Sequence, residues 1–201
     1  MTHCVVHPNL GSGDYCGGEL ALMGKGKVLV LCGSPFHADH ELEAYRRGAL
    51  AERSLTAFDA ESGRKLWTRP GNYQTRPIIV GRTIFAEPWF FDLAGGAAKT
   101  GPQGKPLELF RGSGCGGFAA SAGTAFFRAG AICYRPFDAA GRIAPLVSGQ
   151  RPSCWISFVP AGGIVVAPEG SAGCTCPYAI QGSVALYPKD LPAETPRPAD
   201  K

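Results

Sequence analysis

The sequence predicts an all-β protein built from repeated antiparallel units, on three observations. Composition is the first: 28 glycines and 17 prolines among 201 residues suit short strands joined by tight turns better than long helices. The second is a strand–turn–strand unit that recurs four times. It runs Leu20 to Met23, Gly24-Lys25-Gly26, Lys27 to Leu31; then Ile78 to Val80, Gly81-Arg82, Thr83 to Ala86. The third and fourth copies are Phe118 to Ser121, Ala122-Gly123, Thr124 to Phe127, and Ile156 to Val159, Pro160 to Gly163, Ile164 to Ala167. The third observation is a turn signature, Asp59-x-x-x-Gly63, with counterparts Asp92-x-x-x-Gly96 and Asp138-x-x-Gly141. These turns lie about 33 and about 46 residues apart, bracketing the roughly 40–45 residues of a four-stranded propeller blade. The expected architecture is a β-propeller segment of about four four-stranded antiparallel blades.

Each element has its own reason. Leu55 to Trp67 is the best-defined hairpin: Leu55 and Ala57 begin an alternating strand, and Asp59-Ala-Glu-Ser-Gly63 supplies the reversal. An Asp at the head of a turn accepts backbone N–H bonds two or three residues on, and Gly63 can take the positive φ the reversal needs. Arg64 to Trp67 then opens a second strand closed by Pro70-Gly71. Lys105 to Gly112 echoes this strand after the second turn, and Gly182 to Tyr187 gives a last strand before Pro188. The expected organisation is an irregular segment over 1–19, four blades over about 20–71, 72–112, 113–149 and 150–188, and a disordered tail over 189–201. Two stretches interrupt the pattern: His37 to Arg47, with helix-forming residues, and the Gly/Pro/Lys loop Ala94 to Pro106.

Ala-Phe-Asp-x-x-x-Gly-Arg-Lys-Leu-Trp, from Ala57 to Trp67, resembles the repeat of pyrroloquinoline-quinone-type β-propellers. Gly114-Cys115-Gly116, Arg151 to Trp155 and Pro168 to Cys176 resemble the closing blades of bacterial members. The resemblance spans roughly Leu20 to Pro188 and is specific for fold more than for activity. That family holds both quinoprotein dehydrogenases and non-catalytic outer-membrane assembly propellers. It implies a binding or scaffold module, the C-terminal part of an exported propeller. The rival is a fragment of a quinoprotein oxidoreductase that binds pyrroloquinoline quinone and calcium. Against the rival, the vicinal disulfide that stacks on the quinone has no counterpart, and no Glu/Asn/Asp set reads as calcium ligands. Asn9 and Asn72 are the chain's two asparagines. No bound cofactor is therefore expected. The implied partners are missing N-terminal blades or another propeller-forming chain, together with a protein or small-molecule ligand.

Composition narrows the remaining classes. A net charge of +4, with no basic run beyond Arg46-Arg47, gives no footprint for nucleic acid. No stretch approaches the ~18 apolar residues of a membrane span. Hydrophobic residues at 45% and charged residues at 18% argue against a disordered chain. The eight cysteines favour an oxidising compartment, periplasmic or extracellular, although residues 1–8 show no signal-peptide pattern.

Six groups of residues could carry chemistry. His3, Cys4, His7, His37 and His40 include two pairs with metal-ligand spacing, Cys4-x-x-His7 and His37-x-x-His40. The plainer reading is a polar rim, since the paired spacing of a zinc finger is missing. Cys115, Cys154, Cys174 and Cys176 are candidates for a structural disulfide, with Cys154 to Cys174 or Cys176 expected. Gly112-Ser-Gly-Cys-Gly-Gly117 matches Gly-x-Gly-x-x-Gly but precedes a strand, so it is expected to be a blade-joining loop. Glu87, Asp92 and Glu169 each lie beside a proline or a turn and are expected to cap turns. Trp67, Trp89 and Trp155 are expected to pack between neighbouring blades. By analogy with other propellers, Arg76, Arg128 and Arg151 are candidate anion contacts in a central channel.

Overall fold

The computed structural model describes residues 5–6, 21–25, 28–33, 45–48, 50–51, 53–111, 114, 116–137, 142–150, 158–169 and 178–189. Four antiparallel sheets follow one another along the chain. The first holds β1 (Val5–Val6), β2 (Ala21–Lys25), β3 (Val28–Gly33), β4 (Ser54–Asp59) and β5 (Lys65–Pro70), paired in that order. The second holds β6 (Ile78–Val80), β7 (Thr83–Ala86) and β8 (Trp89–Asp92). The third holds β9 (Ala119–Ala120), β10 (Thr124–Arg128), β11 (Ile132–Pro136) and β12 (Ala144–Val147). The fourth holds β13 (Val159–Ala161), β14 (Ile164–Ala167) and β15 (Val184–Leu186).

Among the described residues the sheets hold five, three, four and three strands. The outer edge of the second sheet is finished by isolated pairings, Trp89 with Glu108, Phe91 with Ala98 and Thr100 with Pro106. Prolines supply the reason: Pro102 and Pro106 have no N–H to give to a ladder, so this stretch winds along the edge without running straight. The strand expected to start at Ile156 is described from Val159, and the first hairpin pairs Lys25 with Val28, later than its Gly24-Lys25-Gly26 turn suggested.

The sheets stack as blades do. Innermost strands adjoin their successors, β2 beside β6, β6 beside β9 and β9 beside β13. All four inner hairpins place two residues between the closing pair: Lys25 with Val28, Val80 with Thr83, Ser121 with Thr124, and Ala161 with Ile164. Because side chains alternate across a strand, counting from this turn fixes which face each residue takes. The second residue of β7, Ile84, packs toward the first sheet, and the third, Phe85, toward the third sheet. In β10, Ala125 faces back and Phe126 forward. In β3, the third residue Val30 faces forward into the same cluster as Ile84 and Phe91. This regular succession of stacked antiparallel sheets is a β-propeller segment.

Each interface has its own apolar core. Val30, Leu55 and Ala57 meet Ile84, Phe91 and Leu93 between the first two sheets. Between the second and third the core is aromatic: Phe85 lies 4.7 Å from Phe90 and 4.8 Å, edge-on, from Phe118. Between the third and fourth, Phe126 and Ile132 meet Phe158 and Ala167. Of the insertion expected after His37, residues 45–51 are described in part; Tyr45 and Arg46 form a helical turn and Leu50 is buried.

Candidate binding surfaces

The repeated Asp turns are built alike. Asp59 Oδ1 accepts the Ser62 N–H at 2.8 Å, and the Gly63 N–H reaches the Asp59 carbonyl at 2.8 Å. Asp92 Oδ2 accepts the Gly95 N–H at 2.8 Å, and the Gly96 N–H reaches the Asp92 carbonyl at 2.9 Å. Gly63 and Gly96 both turn through the left-handed region, at φ 70° and 69°. The Ser62 hydroxyl and N–H together hold the exposed Asp59 carboxyl below its ordinary range. Gly96 has a second duty. A methyl there would lie 2.7 Å from the Trp67 ring, so the absent side chain is what lets Trp67 of the first sheet lie flat on the second. Trp67 Nε1 also donates to the Leu93 carbonyl at 3.2 Å, and the Arg69 guanidinium donates to the Gly96 carbonyl.

The opposite end of the sheets carries a sealed charge network. Glu87, fully buried, follows β7 and takes hydrogen bonds from Thr75 Oγ1 at 3.2 Å and from the Arg111 N–H at 3.3 Å. Arg111 Nε lies 3.4 Å from Glu87 Oε1, and its guanidinium stacks 5.1 Å from the Phe118 ring. Arg53 donates to the Tyr73 and Gln74 carbonyls at 2.8 and 2.9 Å. Burial pushes the Glu87 carboxyl up, against the opposing pull of Arg111 and Thr75. Glu87 is thus no turn cap, as its place beside Pro88 suggested, but an ion-pair partner of Arg111, whose guanidinium in turn rests on Phe118 ahead of the third sheet. Asp92 does cap its turn.

Open surfaces lie elsewhere, between sheets at the hairpin end. A crevice of about 290 Å³ between the second and third sheets is lined by Phe85, Phe90, Leu107 and Phe137, with Lys99 at its side. Lys99 Nζ donates to Thr83 Oγ1 at 2.6 Å. A wider groove of about 510 Å³ between the third and fourth sheets is lined by Phe126, Leu146, Pro160, Ile164, Leu186 and Tyr187. Chemically these surfaces offer apolar and aromatic contact with few charges. They suit binding better than proton transfer. Nothing in the sequence marked Lys99, which sits in a Gly/Pro loop where lysine is ordinary.

No family model matches this chain, and no curated protein matches it. Among solved structures it is similar to the crystal structure of BamB from Moraxella catarrhalis, at 14% identity and a TM-score of 0.43. The match covers 71% of this chain and 43% of that one, so the chain spans less than half the length of the structure it matches. The propeller architecture is read from the four sheets themselves.

Most of the residues singled out in the sequence lie outside the described residues: His3, Cys4, His7, His37, His40, Cys115, Cys154, Cys174, Cys176, Arg151 and Trp155. Among the described residues no cluster of His, Cys, Asp and Glu is placed to hold a metal ion, and no helix is long and apolar enough to cross a membrane. Cys133 is a buried free thiol whose ionisation burial pushes up. Arg76 is exposed just before β6, whereas Arg128, ending β10, is buried; its Nε donates to the Tyr178 hydroxyl at 3.1 Å. Of the Gly-rich loop, Gly114, Gly116 and Gly117 are described. Gly114 has φ 104°, and a methyl there would lie 2.2 Å from the Arg128 carbonyl oxygen. Trp67 packs onto the next sheet as foreseen, and Trp89 Nε1 ties its sheet to the Asn72 carbonyl at 2.9 Å.

Proposed function

We propose that this chain is a non-catalytic binding or scaffold module, a segment of a larger, exported quinoprotein-like propeller. One observation carries the reading. The buried charge pair Glu87 with Arg111 is shut away from solvent, while the accessible crevices are lined mainly by apolar and aromatic side chains, with Lys99 and Thr83 in the narrower one. Catalytic carboxylates need access to substrate; a carboxylate at full burial, held by Thr75 and Arg111, serves architecture. The eight cysteines support export. Blades bounded at about 20–71, 72–112, 113–149 and 150–188 are part of the proposal, as is an anion-binding role for Arg76, Arg128 and Arg151.

The test is an equilibrium titration with pyrroloquinoline quinone and calcium, followed by quenching of tryptophan fluorescence. No saturable quenching is expected at micromolar quinone. A saturable curve with a low-micromolar midpoint would replace this reading with the quinoprotein oxidoreductase. Trp67 is well placed to report, since it lies on the second sheet.

A further inference from the structure

The crevice between the second and third sheets joins two chemistries. Phe85, Phe90 and Phe137 all line it and pack on one another. Ring centroids lie 4.7 Å apart for Phe85 and Phe90, 6.0 Å for Phe85 and Phe137, and 5.5 Å for Phe90 and Phe137. Leu107 adds to this apolar wall. Lys99 and Thr83 line the same crevice, and Lys99 Nζ donates to Thr83 Oγ1. Backbone bonds hold both residues in place. The Lys99 N–H donates to the Phe90 carbonyl at 2.8 Å, and the Lys99 carbonyl accepts the Leu107 N–H at 2.8 Å. Thr83 pairs with Val80 on one side and Asp92 on the other.

This polar corner is rich in donors. The Lys99 ammonium carries more N–H groups than Thr83 can accept, and the Thr83 hydroxyl, having accepted one, still has its own proton to give. Among the described residues Lys99 is in no ion pair, and among those that line the crevice it is the one charged side chain. Asp92, opposite Thr83 in register, accepts the Gly95 N–H through its Oδ2. A cation beside an apolar wall attracts an anion more strongly than it would in open water. Room is limited to about 290 Å³, and an apolar cavity of about 150 Å³ already holds a benzene ring. We infer that this crevice binds a small aromatic carboxylic acid, its ring against the three phenylalanines and its carboxylate on Lys99 and Thr83. A peptide end would also bring N–H groups, and among the described lining side chains no carboxylate or amide accepts them. The inference rests on the reading of the chain as a binding module and names a ligand class for it.

Phenylacetate is the probe, titrated into the purified chain by isothermal calorimetry. Acetate removes the ring and phenylacetamide removes the charge. Phenylacetate should bind with a dissociation constant below about 1 mM, and acetate should give no saturable heat at the same concentration. Phenylacetamide should bind about ten- to a hundredfold more weakly, the usual effect of losing a charged hydrogen bond. Lys99→Met removes the charge and keeps most of the side chain's length, so it should weaken phenylacetate by a similar factor, whereas Lys99→Arg should retain most of the affinity. Circular dichroism checks that both variants fold, and the amide comparison needs no variant. No saturable phenylacetate binding overturns the inference. Equal affinity for acid and amide, or for the native chain and a folded Lys99→Met, overturns it as well. Phenylacetate is read by heat and the quinone by tryptophan quenching, so this inference and the binding-module reading can fail separately.

Discussion

The second and fourth sheets are built on the same hairpin and differ in their company. The second lies between two neighbours, with Ile84 turned one way and Phe85 the other, and both are buried almost completely. In the fourth, Val165 joins the core shared with the third sheet, while Val166, half-buried, faces away from that core. Local pattern decides which face a residue takes, while burial is decided by what stands beyond that face. An exposed Val or Ile on such a sheet therefore keeps to the strand's register and is not a lapse in the apolar pattern.

The largest test of this comparison pairs Phe85→Ala with Val166→Ala. Emptying the aromatic core between the second and third sheets should cost about 3–5 kcal/mol, the usual range for a buried Phe. Truncating half-buried Val166 should cost less, about 1 kcal/mol, because a smaller side chain gives up less buried surface. Urea melts at equal chain concentration would measure both; equal losses would break the comparison.

Glycines sharpen it next. Gly63 and Gly96 share a left-handed φ, so Ala at either pays a strain of order 1 kcal/mol. At Gly63 the methyl meets open space, whereas at Gly96 it runs into the Trp67 ring. Gly96→Ala should therefore lose at least about twice what Gly63→Ala loses, and it should change the fluorescence of Trp67. Thermal melts and emission spectra of the two variants are the check, and matching losses would mean that Trp67 gives way freely.

Smaller effects follow pH. Burial raises the folded-state Glu87 carboxyl, so the folded chain holds that proton more tightly than the unfolded chain does. The resulting stability is full below the ordinary carboxylate range and is lost as pH climbs through the raised folded value. The stability of the native chain minus that of Glu87→Gln should therefore fall as pH rises. Asp59 works in the opposite direction, since Ser62 lowers its carboxyl. The native chain should gain on Asp59→Asn as pH rises from that lowered value to the ordinary one. Denaturant midpoints measured across the acidic range would expose either sign if wrong.

Much of the fold was legible because its signals are local. The Asp-x-x-x-Gly spacing and the paired hairpins each describe a few consecutive residues, and alternation then assigns the faces. Glu87 could not be read in this way. Its partners Thr75 and Arg111 come from chain segments on either side of it, so nothing beside Pro88 distinguishes an ion pair from a turn cap. Lys99 was equally silent, because it draws its interest from Thr83 and the ring of Phe85, across the sheet. The edge of the second sheet was harder to read, since prolines within the Pro102 to Pro106 stretch break into isolated pairings a ladder that its length alone would permit to run on.

The adjacency of the inner strands, each beside the one that follows, has a consequence for how the molecule comes apart. Stability in such a stack is approximately a sum of terms for single sheets and for nearest-neighbour seams, as in a one-dimensional chain of coupled spins. Among the described residues the second sheet has two such seams and the fourth has one. Amide hydrogens of β13 to β15 should exchange with solvent sooner than those of β7 and β8, and opening should spread inward from the fourth sheet. The aromatic seam around Phe85 would be the last to part.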